Sequence, residues 1–157
     1  TVFVRIALGA DHGGWELKAL LGPELEKWGP TGLNQGVDGP AAADYPDYAR
    51  KVAEAVTRGA AERGIMICGS GVGACVAANK VPGIRAGLCH DTFSARQGVE
   101  DDDVNVLCLG ARVVGSELAK EIVKAWLAAR FSNAERHLRR RDKVIAMERE
   151  FGGAWPR

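Results

Sequence analysis

The sequence predicts an α/β domain of three layers, helix, sheet, helix, around a parallel sheet. Three observations carry this. Four short apolar runs, Phe3 to Leu8, Gly64 to Cys68, Ile84 to Cys89 and Asn105 to Leu109, are each followed by glycine or polar residues and then by helical periodicity. The runs are continuously apolar rather than alternating, which is how strands read when helices cover both faces of the sheet. At 157 residues the chain suits one domain, 1–157, with a core of its own.

Taken in order, the first strand leads through Gly9 to Gly14 into a helix over Trp15 to Trp28. That helix is expected to be interrupted at Gly22-Pro23, because proline lacks the N–H of the helical ladder. A second strand is placed at Thr31 to Gly36 by topology, since Thr-Gly-Leu-Asn-Gln-Gly is poor in β-formers. Tyr45 to Val56 puts Tyr45, Ala49, Val52, Ala53 and Val56 on one helical face. Leu118, Ile122, Ala125, Trp126 and Ala129 mark a further amphipathic helix, which Ser116 is expected to cap, and a basic helix follows from about Asn133 to Glu150. There is no internal repeat.

The bulk properties exclude several classes. Lys and Arg number 21 against 20 Asp and Glu, a balance that argues against a nucleic-acid or membrane surface, so any basic function is local. No apolar run is long enough to span a bilayer, and Thr1-Val2-Phe3-Val4-Arg5 lacks the regions of a signal peptide, so the expectation is a soluble cytoplasmic protein. Cys68, Cys75, Cys89 and Cys108 lie in or beside apolar runs without CxxC spacing and are read as reduced thiols. Glu100 to Asp103 imitates a metal site, but one contiguous run rarely closes a coordination shell, and a solvated loop capping local backbone groups is expected instead.

The chemistry concentrates at Ile67-Cys68-Gly69-Ser70-Gly71-Val72-Gly73-Ala74, a strand entering a glycine-rich turn that exposes backbone N–H groups at the start of a helix. Such donors bind a phosphate or an oxyanion. The spacing fits neither a Walker A loop nor a full GxGxxG pattern. Cys68 falls at the carboxyl end of its strand, where open α/β sheets bind ligands, and Cys75 a turn inside the helix. A strand-end cysteine without context is most often a structural thiol. Here the N–H dipoles of the turn are placed to favour a reactive thiolate. Asp11 and His12, after the first strand, share that sheet edge if the strands are parallel, although Asp11 also reads as a helix cap and His12 as a surface residue. Arg136, His137, Arg139, Arg140 and Arg141 form a basic cluster in which Arg136 and Arg140 stand at i and i+4, spaced to grip one phosphate; a solvated basic face is the plainer reading.

Together, Gly9-Ala10-Asp11-His12-Gly13, Asp44-Tyr45-Pro46, Cys68-Gly69-Ser70-Gly71-Val72-Gly73, Ala77-Ala78-Asn79-Lys80, Gly83-Ile84-Arg85, Asn105-Val106-Leu107, Gly110-Ala111-Arg112 and Arg136-His137 resemble the ribose-5-phosphate isomerase B and galactose-6-phosphate isomerase family across nearly the whole chain. The resemblance implies a Rossmann-like α/β/α sandwich with a five-stranded parallel sheet. It implies a homodimer or homotetramer with composite active sites, the C-terminal helix reaching the partner subunit. The implied activity is aldose–ketose isomerisation of a sugar phosphate, with neither metal nor organic cofactor. By resemblance, Cys68 moves the proton between C1 and C2; the branch that uses glutamate carries it where this chain has Ala74. Ser70 shuttles protons between the substrate oxygens, and the backbone of Gly69, Gly71, Val72 and Gly73 stabilises the enediolate. Asp11, Tyr45 and Asn105 meet the sugar. His12 and Arg112, with Arg136, His137 and Arg140 of a neighbouring chain, hold the phosphate.

The chain departs from the family at one position. Where several members carry a ring-opening histidine before the asparagine matched by Asn105, this chain has Asp101. A carboxylate accepts a proton readily and donates one poorly at neutral pH. Either another group, such as His90 or Asp11, then assists the ring, or the substrate needs no opening, as with a four-carbon aldose 4-phosphate, which cannot close a furanose. A non-catalytic sugar-phosphate binder and a partner chain of a hetero-oligomer are the competing classes.

Overall fold

The computed structural model describes residues 4–153. Among them run β1 (Arg5–Ala10), α1 (Trp15–Trp28), β2 (Thr31–Asn34), α2 (Tyr45–Thr57), β3 (Arg63–Cys68), α3 (Val72–Ala78), β4 (Ala86–Leu88), α4 (Thr92–Asp102), β5 (Val106–Gly110), α5 (Ser116–Ala128) and α6 (Glu135–Phe151). Phe3, expected in the first strand, lies outside the described residues.

The five strands form one parallel sheet in the order β2-β1-β3-β5-β4. From β1 the chain turns to one side through α1 into β2, then crosses back through α2 to β3. The connections therefore diverge between β1 and β3, which is where such sheets open a crevice at their carboxyl edge. Cys68 ends β3 in register with Gly110 of β5, and Ala10 of β1 faces Ile67.

Side chains alternate between two cores. Ile6, Leu8, Ile65, Ile67, Leu107 and Leu109 pack toward α1, α4 and α5, whose Leu21, Val99, Ile122 and Trp126 complete that layer. Ala7, Met66, Cys68, Val106 and Cys108 face α2 and α3. The second face is built from smaller groups, so α2 lies close to the sheet: a Cβ added at Gly64 would stand 2.5 Å from Val52 Cγ1, and one at Gly9 would stand 2.6 Å from Cγ2. We expect Gly64→Ala to cost about 1–3 kcal/mol through overpacking, read as a lower urea midpoint at constant slope. An unchanged midpoint would show that α2 can retreat freely.

Four local expectations are corrected. Helix α1 continues through Pro23. Pro23 and Ala19, whose carbonyl loses its partner, are exposed, while Leu17, Leu21 and Leu25 keep the buried stripe. Ser116 is the first residue of α5 rather than its cap, a position taken by Gly115 without a side-chain bond. Helix α6 starts at Glu135, because Asn133 adopts a positive φ of 57° and Ser132 Oγ accepts from Ala134 N at 3.1 Å. The acidic run is not a solvated loop: Asp101 and Asp102 close α4, and Asp103 is its left-handed C-cap. Carboxylates oppose the dipole at a helix C-terminus. Cationic partners offset this, since Asp103 Oδ2 lies 2.9 Å from Arg141 Nη1 and 3.4 Å from Arg85 Nη2.

Candidate active site

Three loops leave the carboxyl edge beside the crevice and hold one another through their backbones. Asp11 N donates to Ile67 O at 3.2 Å, Ala111 N to Cys68 O at 2.9 Å, and Arg112 N to Gly69 O at 3.0 Å. The parallel register thus brings the residues after β1, β3 and β5 around one cleft of about 360 Å³, lined by Asp11, His12, Tyr45, Cys68, Ser70 and Arg112 among others.

Cys68 is 4 % exposed, with Sγ accepting from Gly71 N at 3.1 Å. A positive φ of 80° at Gly71 aims that N–H back at the sulfur. A Cβ at Gly71 would also stand 2.6 Å from Leu88 Cδ1 and 2.8 Å from the backbone of Leu109, so glycine is required twice over. One expectation shifts here: the Gly71 N–H, read from the sequence as an enediolate donor, serves the thiol. The N–H of Val72 is likewise taken, by Ser70 Oγ at 3.2 Å. Gly73 and Ala74 then supply the remaining outward N–H groups of the first helical turn.

Asp11 is buried, and its Oδ1 accepts from Gly13 N at 2.8 Å. It braces its own loop rather than capping α1, whose N-cap is Gly14. The His12 ring is exposed and tied at Nδ1 to Ala43, with the carbonyl oxygen at 3.0 Å and the amide nitrogen at 3.1 Å. One backbone residue thereby offers a donor and an acceptor to either tautomer. Tyr45 opens α2, and its ring rests on Gly73, where a Cβ would meet Cζ at 2.7 Å. The Arg112 side chain lies along Gly69. His90 Nε2 accepts from Gly110 N at 2.9 Å and so steadies the strand end that carries Arg112.

The remaining predicted site residues are not at this cleft. Asn105 precedes β5 at the amino edge, where its side chain accepts from Arg85 N at 2.8 Å and donates to Gly83 O at 2.9 Å, holding that turn. Asp101 ends α4 on the same edge and pairs with buried His137, Oδ1 to Nε2 3.4 Å. Arg136 and Arg140 stand exposed on α6 with no ion-pair partner among the described residues. Sequence reasoning missed Ser132, whose Oγ meets His137 Nδ1 at 2.5 Å, and Gln97, which donates to Asp101 at 2.8 Å. A serine five residues before a histidine was the available signal for the first. The Ala43 backbone carries no sequence signal.

The other three thiols are structural or modulating. All four cysteines are free. Cys108 on β5 donates to the sulfur of half-buried Cys75, lowering the Cys75 thiol to about 7, while that donation and burial push Cys108 well up. Burial, then Asp91, raises Cys89 to about 11. Because thiolates are the species alkylated, iodoacetamide should label Cys75 ahead of Cys89 and Cys108. Its rate should rise with pH through about 7 as the proton leaves, measured by peptide mass spectrometry. Labelling of Cys89 first would contradict the Cys108 donation.

Residues 6–144 match the family model described as Ribose/Galactose Isomerase. The chain is 44 % identical over 144 residues to ribose-5-phosphate isomerase B of Escherichia coli, covering 92 % of this chain and 96 % of that protein. It is 46 % identical over 130 residues to D-erythrulose-4-phosphate isomerase of Pectobacterium atrosepticum, covering 82 % and 85 %. The solved structure of ribose-5-phosphate isomerase B from Clostridium thermocellum superposes with a TM-score of 0.91 at 46 % identity over 94 % of this chain and 99 % of that one. Fold and relatives together define a sugar-phosphate isomerase, an enzyme that interconverts an aldose and a ketose. The chain belongs to the ribose/galactose isomerase family.

Proposed function

We propose that the chain interconverts ribose-5-phosphate and ribulose-5-phosphate by a proton transfer from Cys68 chemistry, through a cis-enediolate. The observation that carries this reading is the thiol at the cleft floor, with Gly71 N directed at Sγ 3.1 Å away. That donor stabilises negative charge on sulfur. With the open-chain sugar in the cleft, Cys68 takes the proton from C2 and returns it to C1. Ser70, whose oxygen is anchored by Val72 N, keeps its own O–H free to move protons between the two substrate oxygens. The N–H groups of Gly73 and Ala74 meet the charge that develops on the enediolate. Asp11 has one carboxylate oxygen held by Gly13 N and a second left for a sugar hydroxyl. His12 and Arg112, on opposite sides of the turn, supply a phosphate site, and fixing that end of the sugar makes the proton transfer effectively intramolecular.

With His137, expected from the sequence to be a phosphate ligand, buried between Ser132 and Asp101, the phosphate site is completed, on this reading, by Arg136 and Arg140 of a second copy in a homodimer or homotetramer. Their place at the amino edge, away from the chain's own cleft, supports a composite site. So does the exposed Val113 that lines the cleft. The free thiols fit a cytoplasmic setting.

A second substrate, erythrose-4-phosphate, is favoured by one observation: the position read as ring-opening carries a carboxylate, Asp101, and an acyclic tetrose needs no opening. A 46 % identical relative is named for the corresponding ketose phosphate. Steady-state isomerisation by the purified chain, with ribose-5-phosphate, allose-6-phosphate, galactose-6-phosphate and erythrose-4-phosphate side by side, tests both. The expected result is efficient pentose turnover. Turnover of another sugar alone reassigns the substrate, and none at all overturns the catalytic reading.

A further inference from the structure

We infer that Ser132, His137 and Asp101 form a proton relay that opens the closed ring of the sugar phosphate, an inference that rests on the isomerase reading above. A pentose 5-phosphate in water is mainly a ring, and proton transfer between C1 and C2 needs the open chain. Opening breaks the bond from C1 to the ring oxygen, so that oxygen must gain a proton while the anomeric hydroxyl loses one.

Imidazole is the side chain most used for such work near neutral pH, and the chain has three histidines. His12 has Nδ1 held by Ala43, and His90 spends Nε2 on Gly110 N. His137 alone is set between a carboxylate and a hydroxyl, with Nε2 3.4 Å from Asp101 Oδ1 and Nδ1 2.5 Å from Ser132 Oγ. The carboxylate is itself fixed, because Gln97 Nε2 donates to Asp101 Oδ2 at 2.8 Å. This orients the ring and sets which nitrogen faces the serine.

The hydrogen bonds on Ser132 give the relay its direction. Its oxygen already accepts from Ala134 N at 3.1 Å. With His137 doubly protonated, its Nε2 end stands beside the Asp101 carboxylate and Nδ1–H donates to Ser132, so Ser132 Oγ accepts twice and its own O–H points outward. His137 is buried and Ser132 exposed, so the serine is the member that can touch a ligand. Ser132 gives its proton to the ring oxygen and is refilled from Nδ1. The C1–O ring bond breaks, C1=O forms, and the anomeric proton passes to water, from which a proton restores the relay through Ser132. No net proton is consumed. Ser132 lies four residues before Arg136, in the segment that leads into α6, so a phosphate gripped by Arg136 and Arg140 brings the sugar toward it. Ser132 is the catalytic member; His137 and Asp101 position and refill it.

The test compares ribose-5-phosphate with erythrose-4-phosphate, which cannot form a furanose, on the purified wild type and on Ser132→Ala, Ser132→Thr and Asp101→Asn. We expect Ser132→Ala and Asp101→Asn to lose at least about tenfold more kcat/KM on the pentose than on the tetrose, with Ser132→Thr restoring the wild-type ratio. Equal losses on both substrates, or none, overturn the relay and leave the isomerase reading standing. So does a wild type that works on the tetrose alone. A wild type that turns over no sugar phosphate overturns that reading and the relay with it.

Discussion

Replacing Cys68 by alanine should lower kcat by at least about a thousandfold while the chain still folds and still binds its ligand's phosphate end. The thiol is buried in the cleft with a backbone donor aimed at its reactive atom. Its neighbours are partly engaged elsewhere: Ser70 Oγ accepts from Val72 N, one Asp11 oxygen accepts from Gly13 N, and Ala74 offers no carboxylate. The structural cost is small, because removing one buried sulfur costs on the order of 1 kcal/mol and leaves the hydrogen bonds between the three loops intact. The Gly71 N–H loses its acceptor, which adds a modest penalty. Thermal melting should therefore fall by a few degrees at most, and calorimetric binding of ribulose-5-phosphate should persist, because His12 and Arg112 are untouched. Cys68→Ser gives the sharper comparison: it restores an acceptor for Gly71 N and should recover stability without recovering turnover. Normal turnover in Cys68→Ala would remove Cys68 from the chemistry. Loss of binding together with turnover would make it a structural thiol.

That this cysteine would meet Asp11 and His12 was legible in the sequence because parallel strands send their carboxyl ends to one edge, whereas Tyr45 and Arg112 were pointed to only by the resemblance to the family. Once four apolar runs with following helices are recognised, loop position alone fixes which residues converge. The sandwich was legible for the same reason, and even the weak second strand followed from topology where its composition failed. Other features were not legible, because they depend on tertiary partners. Pro23 reads as a break, but the buried stripe of Leu17, Leu21 and Leu25 outweighs one missing hydrogen bond. The run from Glu100 to Asp103 reads as a solvated loop, because nothing local reveals that Arg85 and Arg141, near and far in sequence, will arrive to offset its charge. The glycine turn was recognised as a row of donors, yet the assignment of the Gly71 N–H to sulfur rather than to a ligand depends on a single positive φ that composition permits but does not demand.

Two inactive variants should restore each other's activity when their chains are mixed. Cys68→Ala lacks the proposed base, and an Arg136→Ala/Arg140→Ala chain lacks the two α6 guanidinium groups assigned to the phosphate. The base lies at the carboxyl edge of the sheet, and α6 packs at the amino edge beside Asp101 and Asp103. The strands between these edges are five to six residues long in β3 and β5, so the two sets stand apart by about 17–20 Å at ~3.3 Å per residue. Neither arginine lines the cleft of its own chain. On the composite-site reading proposed above, two chains related by a two-fold axis pair so that one protomer's helix reaches the other's cleft, each site taking its thiol from one chain and its arginines from the other. A heterodimer of the two variants then contains one site damaged twice and one fully intact. Refolding an equal mixture makes half the dimers mixed, each with one good site of two, so about a quarter of wild-type turnover should return. Each variant refolded alone should stay inactive. Recovery at that level, rising with the fraction of mixed dimers separated by a charge tag, requires composite sites. Failure to recover, with dimers demonstrably mixed, would place all the phosphate-binding groups on the chain that carries the thiol and leave the basic face of α6 as a solvated surface.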